Sequence, residues 1–173
     1  MILVPVFMVF MLIDPENPVF VAIALAVFAA ASITDALDGK IARKYNLITN
    51  FGKFMDPLAD KMLTTAAYLG LLSMGRASVW AVMIILAREF TVSGIRLVAA
   101  SSGNVIAASI WGKAKTVFQM VSIIAAFFMM FPFCPKETGI LITNILVWIS
   151  AVVTVISGAD YVIKNLHIFK DVK

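Results

Sequence analysis

The sequence predicts an all-α, polytopic integral membrane protein with six transmembrane helices, the first of them truncated, forming a single domain over residues 1–173. Hydrophobic residues make up 62% of the chain and charged residues only 14%, too little polar surface for an ordinary soluble domain of this length. Apolar runs near the length of about 20 residues that a helix needs to cross the hydrocarbon core recur between short polar or Pro/Gly-containing breaks. They are read at 1–13, 18–38, 51–74, 78–100, 114–132 and 138–163, with no linker, low-complexity tract or internal repeat.

The first span is short, since 13 helical residues rise only about 20 Å against a core of about 30 Å. Met1 runs directly into ILVPVF without a basic flank, and no small-residue cleavage site follows. A truncated helix is therefore expected rather than a signal peptide. Spans two and three meet in a polar connection holding Lys40, Arg43, Lys44 and Lys53, while Lys113 and Lys115 open span five and Lys164, Lys170 and Lys173 follow span six. Lys and Arg are retained on the cytoplasmic side, so these ends are expected to face the cytoplasm. Arg76 and Lys136, with Asp14, Glu16 and Glu137, fall on the opposite side. The net charge of +4 is this loop bias, with attraction to an anionic lipid bilayer as a by-product. It predicts no nucleic-acid partner, because no basic stripe interleaved with aromatics is present.

The remaining residue types carry little chemistry. Cys134 is the single cysteine, so an internal disulfide is impossible. His167 stands alone in the tail and is read as a surface residue. Trp80, Trp111 and Trp148 lie mainly near span ends, as an interfacial belt requires.

The polar connection is the informative segment. Asp35 and Asp38 are three residues apart and Asp56 and Asp60 four apart, so in helices each pair projects from one face. Two such helices packed face to face would converge four carboxylates. Oxygen ligands with no His or Cys beside them suit Mg2+ or Mn2+ rather than zinc or copper. Two divalent cations would neutralise the cluster, and paired metals are the recurrent apparatus for displacement at phosphorus. A single Asp at a membrane-helix end is ordinarily a solvated cap, but four in register with glycines beside them read as a site. Gly39 and Gly52 let backbone approach a phosphate or a partner helix, Ala42 keeps the adjacent surface low, and Arg43 adds a planar donor for phosphate oxygens.

These residues, Asp35, Asp38-Gly39, Ala42-Arg43, Gly52, Asp56 and Asp60, match the signature DxxDGxxARx8GxxxDxxxD at every fixed position, and on it the chain resembles the CDP-alcohol phosphatidyltransferase family. Within that family, DPLADK around Asp56 and Asp60 and AREFTVSGIR in span four are similar to the bacterial phosphatidylglycerophosphate synthases. The resemblance implies transfer of a phosphatidyl group from CDP-diacylglycerol to an alcohol with release of CMP, at the bacterial inner membrane. It implies that Asp35, Asp38, Asp56 and Asp60 hold two divalent cations, and that Asp60 is also the general base. Asp38, Gly39, Ala42, Arg43 and Gly52 then form the CDP-lipid site, and a homodimer is implied as well.

The acceptor is read from span four. Arg88 and Glu89 lie well inside the apolar run, and charges at that depth require a partner or a polar cavity. Glu89 and Arg96 are seven apart and share a face, which fits a structural ion pair. The functional reading is an anion pocket in which Arg88, Arg96, Lys113 and Lys115 neutralise a phosphate carried by the acceptor. That pocket and the AREFTVSGIR resemblance point to glycerol 3-phosphate and phosphatidylglycerophosphate as product. The alternatives are the same chemistry with inositol phosphate, serine or phosphatidylglycerol, or a divalent-cation transporter lined by the carboxylates.

Overall fold

A computed structural model describes the backbone of residues 2–44, 50–101 and 110–165, with side chains except at 36, 38–44, 50–60, 98, 100 and 101. Among the described residues the chain is all-helical, in the order α1 (Leu3–Ile13), α2 (Pro18–Lys44), α3 (Asn50–Ser73), α4 (Val79–Ser101), α5 (Ile110–Phe128) and α6 (Lys136–Lys164). Among the described residues two helices are long and apolar enough by composition to cross a membrane, over Pro18–Asp35 and Lys136–Lys164.

Local signals explain where the helices begin and end. Asn17 accepts a hydrogen bond from the Val19 backbone at 3.0 Å and so caps α2, whose first residue, Pro18, has no N–H to leave unpaired. At the end of α3, Gly75 adopts φ 68°, the Gly75 N–H bonds Leu72 O at 3.0 Å and the Arg76 N–H bonds Leu71 O at 2.9 Å. This left-handed turn satisfies the last carbonyls, a conformation glycine adopts without steric penalty. In α6, Glu137 lies in the first turn and Lys164 in the last, each complementing the helix dipole.

Two helices depart from the expected spans by more than two residues. α2 runs to Lys44 rather than stopping at 38, because the polar stretch DGKIARK ends the hydropathic run without interrupting backbone hydrogen bonding. α5 spans 110–128 rather than 114–132. Pro132 biases its predecessor away from helix, and the chain instead makes short turns in which Met130 N bonds Phe127 O and Phe131 N bonds Phe128 O. The turn brings the next helix close, since a Cβ on Gly139 would stand 2.6 Å from the Met129 carbonyl oxygen.

α3 is the common neighbour, packing against α1, α2, α4 and α5, while α6 packs against α4 and α5. The core at one end of the bundle is built on Phe7, Phe28 and Phe127, whose rings lie 5.5, 5.9 and 6.3 Å apart by pairs. Loops from three connections meet there. Lys136 pairs with Glu16, and Arg76 donates to Met129 O at 3.5 Å. The Lys136 hydrogen bond and charge hold the Glu16 carboxyl below its ordinary range, and burial pushes the Arg76 guanidinium down. Away from that end, Lys61 of α3 and Lys115 of α5 meet Glu89 of α4, and Arg96 of α4 reaches Tyr161 of α6.

Around this apolar core the exterior is far more apolar than that of a soluble bundle, and several polar side chains are enclosed. Large apolar side chains such as Trp80, Phe90, Val117, Val121 and Phe128 are exposed, while Glu89, Lys115, Gln119, Ser122, Thr154 and Ser157 are buried. Polar groups inside and a broad apolar exterior are what a lipid-facing bundle requires.

Candidate active site

The motif residues fall on two helices that pack on one another. Asp35, Asp38, Gly39, Ala42 and Arg43 belong to α2, and Gly52, Asp56 and Asp60 to α3. Helical backbone over both segments keeps Asp35 with Asp38, and Asp56 with Asp60, at spacings that share a face. Asp35 is exposed. The side chains of Asp38, Gly39, Ala42, Arg43, Gly52, Asp56 and Asp60 lie outside the described residues.

Next to the motif stands a cluster of charges that the linear spacing did not indicate. Lys61, the residue after Asp60, reaches from α3 to α4, where its Nζ lies 3.5 Å from Glu89 Oε2 and donates to Glu89 O at 3.2 Å and to Ser93 Oγ. Lys115, from α5, donates to Glu89 Oε1. Arg88 Nη1 is 3.5 Å from the same oxygen, and Gln119 Nε2 donates to it at 3.4 Å. The side chains of Glu89, Lys115 and Arg88 are 7%, 10% and 12% exposed. Three cations from three helices thus surround one carboxylate. Charges at that burial persist only when paired and hydrogen-bonded.

α6 closes the far side. Ser157 Oγ accepts a 2.7 Å hydrogen bond from Arg88 Nη2, and the Arg96 guanidinium stands 5.3 Å from the centre of the Tyr161 ring. Gly158 makes room for Arg88, because a Cβ there would lie 3.0 Å from Arg88 Cγ. A Gly158→Leu side chain would have to occupy the space of Arg88. It is expected to cost about 1–3 kcal/mol, read as a lower melting temperature in detergent.

The expected Glu89–Arg96 ion pair is not formed. Seven helical residues rise about 10 Å, and Glu89 is engaged by Lys61, Arg88 and Lys115, while Arg96, which is exposed, stacks over Tyr161 on α6. Of the four residues expected to hold the acceptor phosphate, Arg88 and Lys115 come together around Glu89. Lys113 is exposed two residues before Lys115, at the start of α5. Lys61, Gln119, Ser157 and Tyr161 went unnoticed in the sequence. A signal existed, since each is a polar-bearing residue inside or beside an apolar span.

Comparison with known proteins bears on this arrangement. A family model described as CDP-alcohol phosphatidyltransferase matches residues 1–156. The chain is 40% identical to the CDP-diacylglycerol--glycerol-3-phosphate 3-phosphatidyltransferase of Bacillus subtilis (strain 168), over 97% of this chain and 91% of that protein. It is 37% identical to the protein of the same name from Rickettsia bellii (strain RML369-C), over 84% of this chain and 80% of that protein. A probable phosphatidylglycerophosphate synthase of Mycobacterium tuberculosis (strain ATCC 25618 / H37Rv) is 40% identical over 84% of this chain and 66% of that protein.

Proposed function

The chain belongs to the CDP-alcohol phosphatidyltransferase family, and on that premise we propose that it transfers the phosphatidyl group of CDP-diacylglycerol to glycerol 3-phosphate, giving phosphatidylglycerophosphate and CMP in phospholipid biosynthesis. The observation that carries the acceptor half is the buried cluster of Lys61, Arg88 and Lys115 around the single carboxylate of Glu89. These three cationic side chains, brought together near the segment bearing Asp56 and Asp60, suit an acceptor that arrives with a phosphate of about −1.5 to −2 charge.

The family motif supports the other half. Asp35, Asp38, Asp56 and Asp60 are an all-oxygen donor set suited to two divalent cations, Mg2+ or Mn2+. When bound, such cations neutralise charge on a diphosphate. Asp38, Gly39, Ala42, Arg43 and Gly52 would bind the CDP-lipid, small residues admitting the diphosphate and Arg43 pairing with its oxygens. Asp60 takes the proton from the acceptor hydroxyl as that oxygen bonds to phosphorus and the bond to CMP breaks. Arg88, Arg96, Lys113 and Lys115 hold the acceptor phosphate and so orient its free hydroxyl.

The exposed apolar side chains of α4, α5 and α6 support a bundle of six membrane spans, and the Lys and Arg near the motif end support a cytoplasmic active site in the bacterial inner membrane. Homodimerisation is part of the same family reading. The test is CMP release by purified protein in detergent with CDP-diacylglycerol and Mg2+ or Mn2+, comparing glycerol 3-phosphate, inositol phosphate, serine and phosphatidylglycerol. Release with glycerol 3-phosphate alone is the expected result, and release only with another acceptor would overturn the assignment. Arg96→Ala is expected to raise KM for glycerol 3-phosphate about tenfold or more, the loss of one charge-assisted hydrogen bond, with KM for the lipid little changed. Equal effects on both would remove Arg96 from the acceptor pocket.

A further inference from the structure

We propose that Glu89 is the positioning residue of the acceptor pocket, a built-in counter-ion that holds Lys61, Arg88 and Lys115 in the arrangement an incoming phosphate dianion then completes. This rests on the acceptor reading above and deepens it.

The three cations come from different helices, α3, α4 and α5, and their shared contact is the Glu89 side chain. Like charges gathered in a poorly screened interior repel one another, so without a central anion the two lysines, on flexible stems, would swing apart. Among the described residues, Lys61, Arg88 and Lys115 all lie within 3.5 Å of Glu89. A phosphate monoester, an anion of about −1.5 to −2 charge, is the kind of ligand that cationic side chains so gathered take. A second observation concerns the hydrogen-bonding capacity of Arg88 rather than that of Glu89, whose Oε2, also without a hydrogen bond among the described residues, has Lys61 Nζ 3.5 Å away. Arg88 Nε is buried and donates no hydrogen bond among the described residues, although Nη1 and Nη2 of the same guanidinium are committed to Glu89 and Ser157. A buried guanidinium donor without an acceptor is rare in a completed site, and a phosphate oxygen is the partner this planar fork fits.

Lys61 links the pocket to the chemistry. It follows Asp60 on α3 and is tied to Glu89 and Ser93 on α4, so the carboxylate that sets the cations also fixes α3 against α4 next to the general base. In this role Glu89 acts through the residues it holds.

The sign of one substitution separates positioning from simple charge balance. Glu89→Gln keeps the size of the side chain and removes its charge. Were Glu89 only a negative charge near the site, its removal would make the pocket more positive and tighten anion binding. If it positions the cations, its removal weakens binding. The experiment compares the unsubstituted protein, Glu89→Gln and Glu89→Asp in detergent, by calorimetric titration with glycerol 3-phosphate and inorganic phosphate and by steady-state CMP release. For Glu89→Gln, affinity for both anions is expected to fall about tenfold or more, with a parallel rise in KM for glycerol 3-phosphate and KM for CDP-diacylglycerol within about twofold of the unsubstituted protein.

Glu89→Asp, which restores the charge on a shorter stem, is expected to lie between the two. It carries the test if Glu89→Gln fails to fold, and an unchanged affinity in that variant would overturn the proposal. Unchanged or tighter anion binding in Glu89→Gln would overturn it, as would an equal rise in KM for both substrates. Phosphate binding that depends on Glu89 in a protein releasing no CMP with glycerol 3-phosphate would overturn the proposed acceptor and leave the role of Glu89 intact.

Discussion

Asp60→Asn is expected to lower turnover by about 10²–10⁴-fold, the range that loss of a positioned general base produces. Asparagine preserves the shape of the side chain and its capacity to accept a hydrogen bond, so the α3 helix and its packing against α1, α2, α4 and α5 should be retained. In the proposed roles of Asp60, the substitution would remove both the group that takes a proton from the acceptor hydroxyl and one negative charge available to divalent cations. The two losses separate experimentally. If Asp60 serves only as a ligand, raising Mg2+ or Mn2+ should restore CMP release toward the unsubstituted rate. If it is the base, saturating metal leaves turnover low while KM for both substrates moves little. Near-normal turnover at ordinary metal concentration would assign proton removal to another group.

Lys115→Ala is expected to destabilise the fold by about 1.5–3 kcal/mol, the cost of removing one buried hydrogen bond to a charged group. Lys115 contacts Glu89 Oε1 directly and its side chain is 10% exposed. Its removal leaves Glu89 with Lys61, which is 23% exposed, and with Arg88 at 3.5 Å. Gln119 would remain on the same carboxylate oxygen, so the loss is that of the Lys115 hydrogen bond and its buried stem rather than of all charge pairing. The comparison is Lys113→Ala, two residues earlier and exposed, for which a surface substitution should change stability by no more than about 0.5 kcal/mol. Thermal unfolding of both variants in detergent reads the difference. A Lys115→Ala protein as stable as Lys113→Ala would mean that Glu89 finds another partner and that the cluster is not a fixed unit.

Much of the architecture was legible because it rests on local properties of the chain. Apolar run length located the helices, and Asn17 with Pro18 announced the start of α2 through capping chemistry confined to a few residues. Where reading failed locally, it failed at α2 and α5. Hydropathy follows the solvent a segment meets, whereas a helix ends where its hydrogen bonds end, so the polar stretch to Lys44 remained helical and the apolar stretch before Pro132 did not.

The sequence by itself determined the helical membrane class, the family and the residues of the carboxylate motif, because run lengths and spacings of three and four along a helix are written in the order of the residues. Only the tertiary structure decided which buried charges meet. Glu89 shares a helical face with Arg96, yet it is held by Lys61 and Lys115, 28 and 26 residues away, while Arg88 finds Ser157 at a separation of 69 residues. An ion pair forms between groups that packing brings within about 4 Å, and packing depends on how α3, α4, α5 and α6 lie against one another, which no single helix encodes.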